Sequence, residues 1–118
     1  MRNMSFALTT EQYRNRSKTV TRRLGWDNLR PGERFMGVEK GQGLKKGEHV
    51  TRLHAATCTD NRAEPLNAIT PADVVREGFP CKTPEWFVAM FCAANRCGPK
   101  SIVNRVEFEH GTANEKDT

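Results

Sequence analysis

Between Thr70 and Pro99 the chain starts a helix twice with the same pair of residues, Thr70-Pro71 and then Thr83-Pro84. A threonine hydroxyl accepts from backbone N–H groups that a first turn leaves unpaired, and proline's fixed φ and missing N–H suit the first helical position. The Pro71 helix is short and ends near Gly78, whereas the Pro84 helix carries Phe87, Met90, Phe91 and Ala94 at i, i+3, i+4 and i+7 before Gly98-Pro99 stops it. An aromatic stripe at that spacing is a face packed on a sheet rather than a platform for stacked bases. The rest of the chain must therefore supply that sheet.

The strand candidates lie on both sides of these helices. Met4-Ser5-Phe6-Ala7-Leu8 alternates as a half-buried strand, and Thr9 or Thr10 before Glu11-Gln12-Tyr13 reads as the cap and first turn of a short helix. Thr19, Val20 and Thr21 favour a strand over Lys18 to Arg22, broken by Gly25 and Asp27-Asn28. Leu29-Arg30-Pro31-Gly32-Glu33 reads as a turn leading into a strand over Arg34 to Val38. A glycine-rich basic segment, Lys40 to Gly47, reads as a mobile hairpin loop, since it lacks both phosphate-binding fingerprints. Further strand is expected from His49 to Cys58 and beyond, and a last one through Ile102, Val103, Val106 and Phe108.

A chain of 118 residues with this single set of elements is expected to form one domain over residues 1–110, followed by a disordered tail at 111–118. No stretch approaches the roughly 20 apolar residues of a membrane helix, and the start lacks the apolar core of a secretory signal, so a soluble cytoplasmic protein with no membrane partner is expected. Cys58, Cys81, Cys92 and Cys97 show no C-x-x-C pairing and read as free thiols. His49, His54 and His110 are scattered without the i, i+4 spacing of a shared metal. Neither a metal nor another cofactor is expected, and a monomer or weak homodimer suffices.

The net charge of +5 favours acidic partners, and its most concentrated source is Ser17-Lys18-Thr19-Val20-Thr21-Arg22-Arg23 with Arg14 and Arg16 just before it. No acidic residue interrupts this run. Its repulsion must be tolerated in solvent, as on a basic edge strand, or offset by a bound polyanion.

Taken with these elements, Lys18, Thr21 and Arg23 resemble the signature of the ASCH family over roughly Met4 to Glu109, with Arg16 standing where that signature carries a glycine. The resemblance implies an α+β fold, a small PUA-like β-barrel of about five to six strands with two or three flanking helices. The Lys-x-x-Thr form looks like the small bacterial ASCH amidohydrolases that remove acyl groups from N4-acylated cytidine with a lysine, a threonine and a glutamate. Lys18 and Thr21 match the first two, and position in the chain makes Glu77 the third, with Asp73 and Glu85 as alternatives. Arg16, Thr19, Arg22, Arg23, Lys45 and Lys46 are the expected substrate- or nucleic-acid-binding residues. The partner is then a modified pyrimidine nucleoside. The alternative is an RNA-binding, even RNA-cleaving, PUA-like module that uses the basic 14–23 patch.

Amide hydrolysis needs a nucleophile, a base for its proton and a donor for the oxyanion or the leaving nitrogen. Thr21 as nucleophile and Lys18 as base fit these roles only if the lysine sheds the proton it holds at its reference pKa near ~10.4. Burial and repulsion from Arg22 and Arg23 act in that direction. Water as nucleophile, positioned by Thr21, is the other possibility. Residues three apart face opposite sides of a regular strand, so Lys18 and Thr21 converge only across a bend or bulge.

Overall fold

The computed structural model describes residues 1–40, 47 and 49–112, and its five strands form one sheet in the order β1-β3-β4-β5-β2. These are β1 (Arg2–Ser5), β2 (Val20–Arg23), β3 (Arg34–Val38), β4 (Arg52–Pro65) and β5 (Ile102–His110). Three helices accompany them, α1 (Thr10–Arg14), α2 (Pro71–Arg76) and α3 (Pro84–Asn95), with a 3-10 turn at Leu66–Ala68. The long antiparallel pair β4 and β5 forms the spine, and its register shifts between Cys58 and Asp60. Such an irregularity bends and twists a strand, which helps the sheet to curl. β1 pairs in parallel with β3 while β2 pairs antiparallel with β5, so the first two strands of the chain become the two free edges of a half-barrel.

Both Thr-Pro starts cap their helices: the Thr70 hydroxyl accepts from the Asp73 N–H at 3.2 Å and the Thr83 hydroxyl from the Trp86 N–H at 3.1 Å. In the α3 stripe Phe87 and Phe91 are buried, Met90 is half-buried and Ala94 is exposed. The two phenylalanines pack with Leu66, Ile69, Val74 and Val103 into a core beneath α2 and α3. A second core fills the curl of the sheet with Met4, Phe6, Tyr13, Phe35 and Phe108. Each such side chain contributes about 1.5–3 kcal/mol when fully buried.

Several boundaries differ from the sequence expectation. β1 ends at Ser5 rather than Leu8, because Phe6 N–H makes a last bond to Val38 O and the chain then turns, with Thr9 N–H on Phe6 O. β2 starts at Val20, leaving Lys18 and Thr19 ahead of the regular strand. Just past β5, Gly111 N–H donates to Ala55 O at 2.8 Å. Residues 113–118 and most of the expected hairpin loop, including Lys45 and Lys46, lie outside the described residues. Among the described residues no helix is long and apolar enough to cross a membrane.

Candidate active site

Lys18 is placed by the ends of two helices. Its N–H donates to Gln12 O of α1 at 3.1 Å, the next N–H, that of Thr19, donates to Arg76 O of α2 at 2.8 Å, and Arg16 just before it adopts φ +69°. That left-handed conformation is one glycine adopts freely. α2 stops at Gly78, whose φ of +102° closes the helix and whose missing Cβ leaves room for Gln12 of α1. The Glu77 carbonyl at this helix end accepts from Lys18 Nζ at 3.0 Å, and Glu77 Oε1 accepts from the same ammonium at 2.6 Å.

Both side chains are almost fully buried. Burial pushes the Lys18 pKa down, Glu77 pulls it back up, and Arg23 and Arg22 push it down again, with a net lowering. The other Glu77 oxygen, Oε2, accepts from Arg22 Nη1 at 3.2 Å. Arg22 Nη2 donates to Glu64 Oε2 at 2.8 Å and to Asp73 Oδ2 at 2.7 Å, and Asp73 also accepts from Arg105 Nε and Nη2 at 2.6 and 3.1 Å. Arg22 Nε is buried without an acceptor among the described residues. Burial raises the Asp73 pKa, but its bonds from Arg105 and Arg22 outweigh that and bring it down to about 2.

Three of the five cations of the run meet carboxylates in the fold. Arg14 pairs with Glu11 and Glu39, Lys18 with Glu77, and Arg22 with three carboxylates brought from β4 and α2. Arg16 stays exposed and donates to Gly111 O at 2.9 Å. For Arg14, Lys18 and Arg22 the protein's own carboxylates supply the counter-charge that the sequence left to solvent or a polyanion.

Lys18, Thr21 and Glu77 all line one cavity of about 660 Å³, a size suited to a small molecule. It opens where the half-barrel fails to close, between Asn3 and Ser5 of edge strand β1 and Thr21 and Arg23 of edge strand β2, with Phe87, Met90 and Phe91 of α3 on a further side. Because Lys18 precedes the regular part of β2, the alternation of strand faces does not separate it from Thr21. Arg23 Nε donates to Thr21 Oγ1 at 3.1 Å, and its guanidinium carbon lies 4.8 Å from the centre of the Phe6 ring. Of the expected binding residues, Arg22 and Arg23 line the cavity and Arg16 and Thr19 do not. Glu85 and Asp73 are also absent from its wall.

Several residues that shape the site were not singled out by the sequence. Glu64 and Arg105 complete the charge network, and the β2–β5 register that sets Arg22 opposite Arg105 is the signal that finds the latter. His54 and His110, scattered in sequence, meet across β4 and β5 with Nε2 and Nδ1 2.7 Å apart. His110 Nε2 donates in turn to Lys18 O at 2.6 Å, so this pair steadies the backbone that presents the lysine.

Fold and cavity together define a small α+β domain, a curled five-stranded half-barrel with three helices, consistent with the PUA-like barrel that the resemblance implied. Among solved structures the chain is similar to protein EF3133 from Enterococcus faecalis V583, described as a DUF984 family protein, with a TM-score of 0.54 and 16% identity. The match covers 80% of this chain and 61% of that one, so the chain spans about three fifths of the length of that protein. No family model matches the chain, and no curated protein matches it.

Proposed function

We propose that this protein is an amidohydrolase that removes the acyl group from N4-acylated cytidine or cytosine with Lys18, Thr21 and Glu77. The observation that carries this reading is the buried Lys18–Glu77 contact at 2.6 Å on the wall of the cavity that Thr21 also lines. A lysine whose pKa is lowered by burial can accept a proton, and a hydroxyl that gives its proton to such an amine becomes a nucleophile. Thr21 Oγ1 attacks the acyl carbonyl carbon and passes its proton to neutral Lys18 Nζ. The resulting ammonium returns that proton to N4 as the C–N bond breaks, releasing cytosine or its nucleoside and leaving the acyl group on Thr21. Water then attacks this ester with Lys18 again taking the proton, the carboxylic acid departs, and Thr21 Oγ1 regains its hydrogen. Glu77 anchors Lys18 through both its carboxylate and its carbonyl. The aromatic wall of Phe6, Trp26, Phe79, Phe87 and Phe91 suits a planar base.

RNA binding through the 14–23 run has less support, because two of its five cations are buried on carboxylates and Arg14 is paired at the surface. The test is loss of N4-acetylcytidine on incubation with the protein, followed by ultraviolet absorbance beside Lys18→Ala and Thr21→Ala. Turnover that disappears in both folded variants is expected. Full activity in either variant, or none in the folded parent protein, overturns the reading.

A further inference from the structure

We propose that the substrate of this cavity carries an anionic group, a carboxylate or a phosphate, which the guanidinium of Arg23 receives. The identity of the base in that substrate rests on the amidohydrolase reading, whereas its charge rests on Arg23. Behind the cavity, Lys18, Arg22 and Arg105 face Glu77, Asp73 and Glu64, three cations against three carboxylates in direct contact. Arg23 stands outside that balance. Its Nε is spent on the neutral Thr21 hydroxyl, and among the described residues no carboxylate pairs with it and no acceptor meets Nη1 or Nη2.

Glu77 is the one carboxylate among the described residues that line the cavity, and its two oxygens are already held by Lys18 and Arg22. Lys40, a further lining residue, adds the same sign as Arg23. Arg23 is half-buried against the Phe6 ring, so it has exchanged part of its hydration for an aromatic face without a carboxylate in ion-pair contact among the described residues. Burial brings its pKa down to about 10, with only Glu77 opposing, and the group therefore keeps its charge at neutral pH. A cation kept charged and partly desolvated is costly in an empty site, and an oxyanion that accepts from both free nitrogens relieves that cost. The same pairing orients the ligand, because the guanidinium is a rigid fork two residues beyond the Thr21 hydroxyl.

The anion has two chemical sources, the phosphate of a nucleotide or a carboxylate at the far end of the acyl group. Calorimetric titration with cytidine, cytidine 5′-monophosphate and N4-succinylcytidine separates them, run at low salt on the parent protein, Thr21→Ala to prevent turnover, Arg23→Gln and Arg23→Lys. At least one anionic ligand is expected to bind tenfold or more tightly than cytidine, with the preference lost in Arg23→Gln and partly kept in Arg23→Lys. The ligand that shows the preference names the source. Equal or weaker binding of both anions, no binding of either, or a preference that survives Arg23→Gln overturns the proposal, and Arg23→Lys decides the matter should Arg23→Gln fail to fold. N4-acetylcytidine turnover is measured separately: an Arg23-dependent preference without turnover sinks the amidohydrolase reading alone, and turnover without a preference sinks this one alone.

Discussion

Arg22 and Arg105 lie directly opposite each other on the antiparallel strands β2 and β5, and Asp73 Oδ2 accepts from both, at 2.7 and 2.6 Å. Like charges at directly opposed positions repel and weaken a sheet, so here a carboxylate from the first turn of α2 fastens that helix across the strand pair. Arg22 so held presents Nη1 to Glu77, which links the packing of α2 to the lysine in the cavity.

Replacing Asp73 by Asn therefore leaves two buried guanidiniums face to face. The expected loss in folding free energy is about 3–5 kcal/mol, the range for removing one partner of a buried ion pair. Urea denaturation measures it, and a loss under about 1 kcal/mol would show that the network is not what holds α2. The folded Asp73 pKa of about 2 lies below the unfolded value near ~3.9, so its contribution is present above about pH 4 and is lost as the pH falls towards 2.

The His54–His110 pair predicts a second, separate acid transition. Burial keeps both rings neutral, so His110 Nε2 donates to Lys18 O, His110 Nδ1 accepts, and His54 Nε2 carries the hydrogen between the rings. Burial, the His110 ring and Arg16 lower the His54 pKa to about 4, and burial leads in lowering that of His110 despite its bond to Lys18. In the unfolded chain both histidines take up protons near pH ~6.5. Stability supplied by the neutral pair is thus present above about pH 6.5 and declines as the pH falls towards 4. Melting temperatures across that window should fall more gently in His110→Gln, whose amide retains one donor and one acceptor without titrating. An unchanged slope would show that the pair does not titrate with unfolding.

Arg16 tests the backbone turn ahead of the lysine. Its φ of +69° costs a non-glycine residue about 1–2 kcal/mol, and glycine avoids that while losing the exposed bond to Gly111 and gaining freedom in the unfolded chain. These effects oppose each other, so Arg16→Gly should stay within about 1 kcal/mol of the parent protein in denaturant melts. Arg16→Val, β-branched in the same conformation, should lose about 2 kcal/mol. Equal stability of the two variants would mean that the turn relaxes.

What the sequence made legible follows from the range of the interactions involved. The caps at Thr70 and Thr83 are local chemistry between neighbours, and both helices start where those residues lie. The strand over Arg34 to Val38 is legible for the same reason, since a Pro-Gly turn precedes it. The partners of the cation run are not local: Glu64, Asp73 and Glu77 come from β4 and α2, and an unbroken charge run in sequence carries no sign of them. The His54–His110 contact likewise exists only through the β4–β5 register that pairs Ala56 with His110. The α3 stripe was legible as a packed face, but not that Phe87, Met90 and Phe91 also wall the cavity, because the gap between the edges of the half-barrel is a property of the whole sheet.

The proposed chemistry makes its sharpest demand on the protonation of Lys18. If the neutral amine is the base, kcat/KM rises with pH as Lys18 loses its proton, and the midpoint of that acid limb follows the charges around it. Glu77 favours the ammonium, so Glu77→Gln should shift the limb to lower pH while reducing kcat by about 10²-fold through loss of the anchor. Arg23 opposes the ammonium, so Arg23→Gln should shift the limb to higher pH whatever it does to substrate affinity. Damage to the fold lowers both rates but gives no reason for midpoints to move in opposite directions. A limb that stays in place in both variants would assign the titration to another group and remove Lys18 from the role of base.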